Sequence, residues 1–432
     1  MFSSGLSHWR GEYLCFRNFA PNLMKKFNVP PTYRSPLITA IKQRRKEADK
    51  LKKDFTPTLL DMGPLRIWLA RHFGFCYGVE NAIEIAFETI TRHPGKRIFL
   101  LSEMIHNPQV NADLIALGVR FLQDTKGNQL IPFEELSKQD IVIIPAFGTT
   151  LAIEHQLKEK GIETAAYNTT CPFVEKVWNR GEQIAAKGYT IVVHGKPGHE
   201  ETRATFSRAA ANAPTIIVND LKEAAILGEF ITGQRNIDSF SSLFSGQYSN
   251  GFDPSIHLNK IGVINQTTQL SSDTQAIAEY LKQVMINHYH LTPDQVALHF
   301  ADTRDTLCYA TNDNQTAVRE MLSTPADLAI VIGGYNSSNT SHLVELCEQH
   351  LPTWFIDAPE RLISEQEIEH RRWDTKELQL HQDYLPAHRP LTILMTSGAS
   401  CPDAVVDAVI QRLARFYGVE IKLGQLTMEW CS

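Results

Sequence analysis

Residues 65–90 have the sequence LRIWLARHFGFCYGVENAIEIAFETI. Alternating apolar and polar side chains over Leu65–Ala70 predict a β-strand, and the spacing of apolar residues from Val79 to Ile90 predicts a helix. The short loop between them contains Cys76, flanked by Gly74 and Gly78. This unit of strand, loop and helix is the pattern on which most of the chain is built.

The same order recurs further along the chain. Short apolar strands are predicted at 141–144, 191–193, 328–332 and 391–395, each followed by a small polar loop and a helix. Such alternation is typical of an α/β fold with mainly parallel sheets, whose ligands bind at the carboxyl ends of the strands. We predict an N-terminal extension (1–64), three α/β domains (65–165, 166–300 and 301–405) and a C-terminal segment (406–432), with a surface insertion at 231–256.

Composition excludes several classes of protein. The 432 residues are too many for one hydrophobic core, and the net charge of −6 gives no nucleic-acid signature. No apolar run reaches the roughly 20 residues that cross a bilayer, so no membrane partner is expected. Seven cysteines without dense spacing favour a reducing compartment, and we predict a cytoplasmic protein. Residues 1–60 are basic and poor in acids, so the alternative is a transit peptide and the plastid stroma.

Three isolated cysteines, Cys76, Cys171 and Cys308, each precede a predicted helix. The positive end of a helix dipole lowers the pKa of a thiol and favours metal ligation. Converging in space, the three thiolates would suit an iron–sulfur cluster with one iron that has no protein ligand. For any one of them, a small buried residue is the simpler interpretation. Zinc is the competing metal, but no nearby cysteine or histidine spacing completes a tetrahedral site.

The remaining four cysteines are not predicted to be ligands. Cys347 lies on the apolar face of a predicted helix and is assigned to the core. Cys401 follows Ser400 in a loop, while Cys15 and Cys431 lie near the ends of the sequence.

A second set of loops has the composition of an anion site. Residues 333–340 contain Ser337, Ser338 and Asn339 between a strand and a helix, and Ser400 lies in a similar loop. Backbone N–H groups at a helix start, with hydroxyl and amide side chains, suit phosphate oxygens. Each loop by itself is more often a turn with a helix N-cap. The addition of His106 and His199 makes a diphosphate site the hypothesis.

Two polar residues near these loops are candidates for chemistry. Glu201 follows His199 in a glycine-bounded loop and could move a proton, although a carboxylate at a helix N-terminus is common and Glu200 competes for the role. Thr267 follows a strand at 261–264 and offers a hydroxyl at the strand's carboxyl end. Its simpler interpretation is a helix cap.

Together these segments resemble the IspH/LytB family of 4-hydroxy-3-methylbut-2-enyl diphosphate reductases, in its plant and cyanobacterial branch. The resemblance covers about residues 65 to 410, and its motifs occur in the family's order: Gly74–Val79, Ile105–Pro108, Thr170–Pro172, His199–Thr202, Gln266–Thr268, Cys308–Thr311, Asn336–Thr340 and Gly398–Ser400.

The resemblance implies three α/β domains around a central [4Fe–4S] cluster. Cys76, Cys171 and Cys308 would bind three irons, and the fourth would bind the substrate hydroxyl. Isopentenyl and dimethylallyl diphosphate would form by two-electron reductive dehydroxylation. The other implied roles are proton supply by Glu201, placement of the hydroxyl by Thr267, and diphosphate binding by His106, His199, Ser337, Ser338, Asn339 and Ser400. Ferredoxin or flavodoxin would donate the electrons to a monomer or homodimer.

One position departs from the family. Many bacterial members have a histidine in the loop where this chain has Phe147, which cannot donate a hydrogen bond to phosphate. The hypothesis is that Lys196 or His194 offsets the lost contact. Two other functions remain open from sequence: an iron–sulfur sensor that binds a phosphorylated ligand without turnover, and a zinc-dependent phosphosugar enzyme.

Overall fold

The computed structural model describes residues 27–51, 53–301 and 306–421. The strands of this part are β1 (Thr58–Asp61), β2 (Leu65–Leu69), β3 (Ile98–Leu100), β4 (Arg120–Phe121), β5 (Ile141–Ile143), β6 (Thr190–His194), β7 (Thr215–Val218), β8 (Ile261–Asn265), β9 (Leu328–Ile332), β10 (Thr353–Ile356), β11 (Glu367–Arg371), β12 (Leu378–Gln382) and β13 (Leu391–Ser397). The helices are α1 (Pro36–Ala48), α2 (Tyr77–Arg92), α3 (Pro108–Ala116), α4 (Leu151–Glu159), α5 (Pro172–Ala185), α6 (Glu200–Ala210), α7 (Leu221–Ile231), α8 (Phe240–Leu243), α9 (Pro254–His257), α10 (Ser271–Tyr289), α11 (Tyr309–Met321), α12 (Ser338–Glu348) and α13 (Asp403–Phe416).

Besides an antiparallel pair of β11 and β12, the described chain contains three sheets, which we call the first, second and third sheets. Their strand orders are β4-β3-β5, β7-β6-β8 and β1-β2-β13-β9-β10, and every pairing is parallel except that of β1 with β2. All residues of β6, β8 and β9 are buried, as expected for parallel strands that helices cover on both faces. The prediction of an α/β fold with mainly parallel sheets is confirmed.

The three sheets are not built from three consecutive segments of the chain. Strand β2 pairs in parallel with β13, with Leu65 opposite Leu391, so the strand that leads to Cys76 belongs to the third sheet. Helix α2, which begins directly after Cys76, packs instead with Ile98 and Leu100 of the first sheet. The chain therefore passes from one sheet to another at Cys76. Similarly, α13 continues through the predicted border after residue 405 and packs onto the third sheet.

Residues 231–256 are more deeply integrated than a surface insertion. Phe240, Phe244 and Phe252 are buried in one cluster with Phe230 of α7, and the rings of Phe240 and Phe252 stack at 5.6 Å. Burying such a side chain is worth about 1.5–3 kcal/mol. Turn-forming residues hide the aromatic spacing of α8 and its neighbours in the sequence, and the insertion itself stays a prediction.

The described part of the N-terminal extension is integral to the fold. Strand β1 pairs with β2, Leu37 and Ile38 of α1 are buried, and Tyr33 Oη donates a hydrogen bond of 2.6 Å to Asp113. A leader ending at residue 60 would remove both α1 and β1 from the core. Residues 1–26 with Cys15, and 422–432 with Cys431, lie outside the described residues. None of the described helices is long and apolar enough to cross a membrane.

Candidate active site

One cavity brings together every residue that the sequence predicts for the site. Its lining includes the cysteines, the glutamate and threonine, and the polar residues of the anion loops: Cys76, Cys171, Cys308, Glu201, Thr267, His106, His199, Ser337, Ser338, Asn339 and Ser400. Strand ends and helix starts supply these side chains, as expected for ligand sites in parallel sheets.

Backbone hydrogen bonds fasten the cysteine loops to other loops of the site. The N–H of Cys76 donates to the carbonyl of Ala399 at 3.2 Å, and that of Cys308 donates to Thr267 at 3.4 Å. The N–H of Cys171 donates to Ala146 at 2.9 Å, beside Phe147. Each thiol is thus held by a segment distant in sequence.

The three cysteines are the N-caps of α2, α5 and α11. A Cβ atom added to Gly78 would lie 2.6 Å from Cys171 Sγ, so the starts of α2 and α5 approach so closely that only glycine fits. Cys308 Sγ accepts a hydrogen bond from the N–H of Thr311 at 3.3 Å and lies 3.1 Å from Thr311 Oγ1. The thiols therefore face one shared space from three helix ends.

The pKa values of the thiols differ from the expectation based on the helix dipole. Burial raises the pKa of Cys76, and the neighbouring Cys171 and Cys308 raise it further. Burial raises the pKa of Cys171 to about 12 and also raises that of Cys308. Hydrogen bonds from the helix starts oppose these shifts but are outweighed, because desolvation disfavours a thiolate more strongly. Burial therefore disfavours three thiolates in this cavity, and a nearby cation would favour them.

Glu201 and Thr267 form the site's most closely connected polar pair. The backbone N–H of Thr267 donates to Glu201 Oε1 at 2.5 Å, and Thr267 Oγ1 donates to Oε2 at 3.0 Å. Burial raises the pKa of Glu201 to about 7, although both hydrogen bonds from Thr267 act to lower it. A carboxyl group with this pKa can hold a proton near neutral pH and release it.

Glu200 has a different position from Glu201 and does not line the cavity. It accepts a hydrogen bond of 2.6 Å from Ser102 Oγ, and its other oxygen lies 3.5 Å from His106 Nε2. Burial raises the pKa of Glu200, while His106 lowers it. The structure therefore places Glu200 behind His106, with its carboxylate near the imidazole, and leaves the cavity to Glu201.

A neighbour of His199 determines which of its ring nitrogens carries the proton. His199 Nδ1 accepts a hydrogen bond of 3.2 Å from the N–H of Glu201, so a neutral imidazole carries its proton on Nε2. Burial, followed by the charge of His106, lowers the pKa of His199 well below its usual value. His199 is thus a neutral side chain that can donate a hydrogen bond through Nε2.

Phe147 packs against both histidines. Its ring stacks on His106 at 4.4 Å and meets His199 edge-on at 5.6 Å. Phe147 therefore donates no hydrogen bond itself, but its ring supports two histidines that can.

Asn339 presents a free donor to the cavity. Its Oδ1 accepts hydrogen bonds from the N–H of Ala399 at 3.0 Å and from Asn314 at 3.4 Å. The buried Nδ2 has no partner among the described residues. Because an unpaired buried amide is costly, this group indicates a ligand acceptor. Ser337 caps α12 by accepting the N–H of Thr340 at 3.2 Å, so the positive end of that helix faces the same place.

Ser400 joins the anion loops to His106. Its hydroxyl donates to the carbonyl of His106 at 3.1 Å, so it must turn to donate to a ligand. A Cβ atom on Gly334 would lie 2.1 Å from the same carbonyl oxygen. Any side chain at position 334 would therefore push its loop away from that of His106.

Lys196 and His194 were proposed to replace the phosphate contact that is lost at Phe147, but neither lines the cavity. His194 is buried, its Nδ1 lies 3.0 Å from Thr274 Oγ1, and burial lowers its pKa to about 4. Burial also lowers the pKa of Lys196, which influences His199 only through its charge. The positions of these residues give no support to the hypothesis of a replacement contact.

Sequence reasoning missed two contributors. Thr311 supports Cys308, and its signal was a hydroxyl three residues into a helix that begins at a cysteine. The Ser102–Glu200 pair behind His106 had no signal, because the residues are far apart in sequence.

The fold and the cavity define an α/β protein whose buried site combines three thiols with hydrogen-bond donors and the start of a helix. The sequence model of the LytB protein family matches residues 67–414, and the chain belongs to that family. A reductase of Synechococcus sp. (strain WH7803), named 4-hydroxy-3-methylbut-2-enyl diphosphate reductase, is 41% identical over 355 residues, 82% of this chain and 86% of the relative. A protein of the same name from Gloeobacter violaceus is 40% identical over 363 residues, 83% and 85% of the two chains.

A solved structure has the same fold. The E-1-hydroxy-2-methyl-but-2-enyl-4-diphosphate reductase from Plasmodium falciparum superposes with a TM-score of 0.58 at 22% identity, over 83% of this chain and 91% of that one. The family predicted from the sequence, with cyanobacterial relatives, is confirmed.

Proposed function

We propose that this chain is a 4-hydroxy-3-methylbut-2-enyl diphosphate reductase. The substrate gains two electrons and two protons, its allylic C–O bond breaks, and water leaves with formation of isopentenyl or dimethylallyl diphosphate. One observation carries the proposal. A single cavity contains three thiols, a carboxyl group of raised pKa, and unpaired hydrogen-bond donors that could bind an anion. A non-catalytic sensor would need no proton donor beside the thiols.

Cys76, Cys171 and Cys308 are proposed to hold an iron–sulfur cluster of the [4Fe–4S] type. No three His, Cys, Asp or Glu side chains in the described ranges are close enough to hold one metal ion. Three thiols spread around a common cavity suit a polynuclear cluster better than zinc. When bound, the cluster supplies a Lewis-acidic iron for the substrate hydroxyl and a route for electrons. Its iron is also a cation that would favour three buried thiolates.

The diphosphate is bound by neutral donors and a helix end. Asn339 Nδ2 is the unpaired donor, His199 carries its proton on Nε2, and α12 begins beside them. Charge-assisted hydrogen bonds of this kind are about twice as strong as neutral ones. These groups orient the substrate so that its hydroxyl end lies toward the cysteines.

Glu201 is proposed to deliver protons, and Thr267 to orient both the carboxyl group and the substrate hydroxyl. The carboxyl pKa of about 7 keeps much of Glu201 protonated at neutral pH. Thr267 Oγ1 donates to Glu201 and retains lone pairs that can accept from the substrate. The proton therefore moves between groups that are buried in the cavity.

The proposal is tested with protein purified under anaerobic conditions. We expect a brown protein containing iron and sulfide that converts the allylic diphosphate with reduced methyl viologen as electron source. Glu201→Gln should keep iron, sulfide and substrate binding but lose turnover, because a general acid contributes about 10²–10⁴-fold to rate. A colourless protein that retains zinc, or wild-type turnover by Glu201→Gln, would contradict the assignment. Ferredoxin or flavodoxin is the proposed natural donor.

A further inference from the structure

Cys76 lines a second opening in addition to the substrate cavity. This opening, the outer groove, is lined by Lys42, Lys46, Arg71, His72, Phe73, Gly74, Phe75, Cys76, Tyr309, Ala310, Asp313 and Asn314. Cys76 is the one residue that lines both spaces. None of the proposed diphosphate-binding residues lines the outer groove, so a molecule bound there would not displace the substrate.

The outer groove is basic, whereas the whole chain is acidic. Its lining contributes Lys42, Lys46 and Arg71 against one carboxylate, Asp313. Lys42 forms an ion pair with Asp403 at 2.7 Å, while Lys46 is exposed on α1 and has no ion pair among the described residues. With a net charge of −6, the chain as a whole repels an acidic partner, so attraction must come from a local patch.

Aromatic side chains border the groove above the cysteines. Tyr77 and Tyr309 are 39% and 37% exposed, and the N–H of Tyr77 donates to Tyr309 Oη at 3.0 Å. Phe173 lies 5.0 Å from the ring of Tyr309. Each of these residues follows one of the three cysteines by one or two positions. Aromatic contact area beside a charged patch is typical of protein interfaces.

We propose that the outer groove is the docking surface for a small acidic one-electron carrier protein. This rests on the proposed reductase function and names the place where its electrons enter. Two reduced carriers each give up one electron in turn, which supplies the two electrons of the reaction and oxidises both carriers. Docking at the groove places the carrier against Cys76, which lines both the groove and the substrate cavity.

The test compares two charge reversals in the holoprotein. Lys46→Glu changes the groove, and Lys222→Glu makes the same change in net charge at an exposed position on α7 outside it. The probe is an acidic [2Fe–2S] ferredoxin. We expect Lys46→Glu to weaken its binding about fivefold to tenfold at low salt and to raise its KM similarly, with the difference shrinking at high salt. Lys222→Glu and Lys46→Arg should bind as the wild type does.

The artificial reductant separates docking from chemistry. Turnover with reduced methyl viologen should be equal in the wild type and Lys46→Glu. Unchanged ferredoxin affinity in Lys46→Glu would overturn the proposal, as would an equal loss with both reductants. A change in oligomeric state at unchanged ferredoxin affinity would assign the groove to a second copy of the chain and also overturn it. A wild-type protein inactive with methyl viologen would contradict the reductase function instead, while the binding comparison still decides on the groove.

Discussion

Thr267 hydrogen-bonds to both carboxyl oxygens of Glu201, through its N–H at 2.5 Å and through its hydroxyl at 3.0 Å. The pair joins the start of α6 to the loop after β8. Both bonds favour the ionised carboxylate, whereas full burial favours the neutral acid, and burial prevails. The protonation state of Glu201 is therefore set by a balance that a single substitution can shift.

The pH dependence of turnover follows from this balance. Glu201 acts in its protonated form, so kcat should be high below pH 7 and fall as the pH rises through about 7. Thr267→Val removes the hydroxyl bond that favours ionisation and should move the decline to higher pH. Thr267→Ser keeps the bond and should follow the wild type. The measurement is kcat against pH with an artificial reductant, and a profile unchanged in Thr267→Val would remove the hydroxyl from this role.

Substitution of Gly78 should prevent the iron–sulfur cluster from assembling. A Cβ atom at this position lies 2.6 Å from Cys171 Sγ, so Gly78→Ala must displace the thiol or the start of α2. We expect iron and sulfide content to fall by half or more, with loss of visible absorbance. Gly198→Ala is the matched control, since a Cβ there meets nothing within 4 Å. Full cluster content in Gly78→Ala would contradict the proposed geometry.

The unpaired amide of Asn339 should contribute strongly to substrate affinity. Asn339→Asp replaces the donor Nδ2 with a carboxylate oxygen that repels phosphate, and we expect KM to rise by about 10²-fold, since leaving a charged partner unpaired costs about 1–3 kcal/mol or more. Asn336→Asp makes the same change at an exposed position of the same loop that does not line the cavity. It should have the smaller effect, and similar KM values for the two variants would argue against Asn339 as a phosphate ligand.

Phe147 should affect binding through the two histidines that it contacts. Aromatic pairs of this geometry contribute about 0.5–1.5 kcal/mol, so Phe147→Ala should raise KM about threefold to tenfold, with a smaller change in kcat. Phe147→Tyr preserves the ring and should stay near the wild type. Crystals or NMR spectra of Phe147→Ala should show reorientation of His106, and an unchanged KM would leave Phe147 as a wall of the cavity only.

Local pattern was sufficient to select residues that the structure brings to one cavity. Each of them follows a strand or begins a helix, and parallel sheets place such positions at one edge, so Cys76, Glu201 and Asn339 could be chosen without knowing how the strands pair. The motif order then identified the family. Chemistry that depends on residue type and local position is readable from sequence.

The sequence did not reveal which distant strands pair or how deeply the side chains of the site are buried. Nothing in the periodicity of β2 shows that its partner is β13, because the two strands are separated by most of the chain. The helix positions of the cysteines predicted lowered thiol pKa values, but burial, a property of the assembled cavity, raises them. The position of Glu200 behind His106 likewise depends on Ser102, a residue of another loop.

The pairing of β2 with β13 also has a consequence for how the protein is made. The third sheet needs a strand from near residue 65 and another that ends at Ser397. A chain emerging from the ribosome therefore holds β2 without its parallel partner until almost all of the sequence has been translated. Cys76 and Ser400, joined through the Cys76–Ala399 hydrogen bond, come together only then. The proposed cluster would consequently be loaded after translation, onto a finished polypeptide.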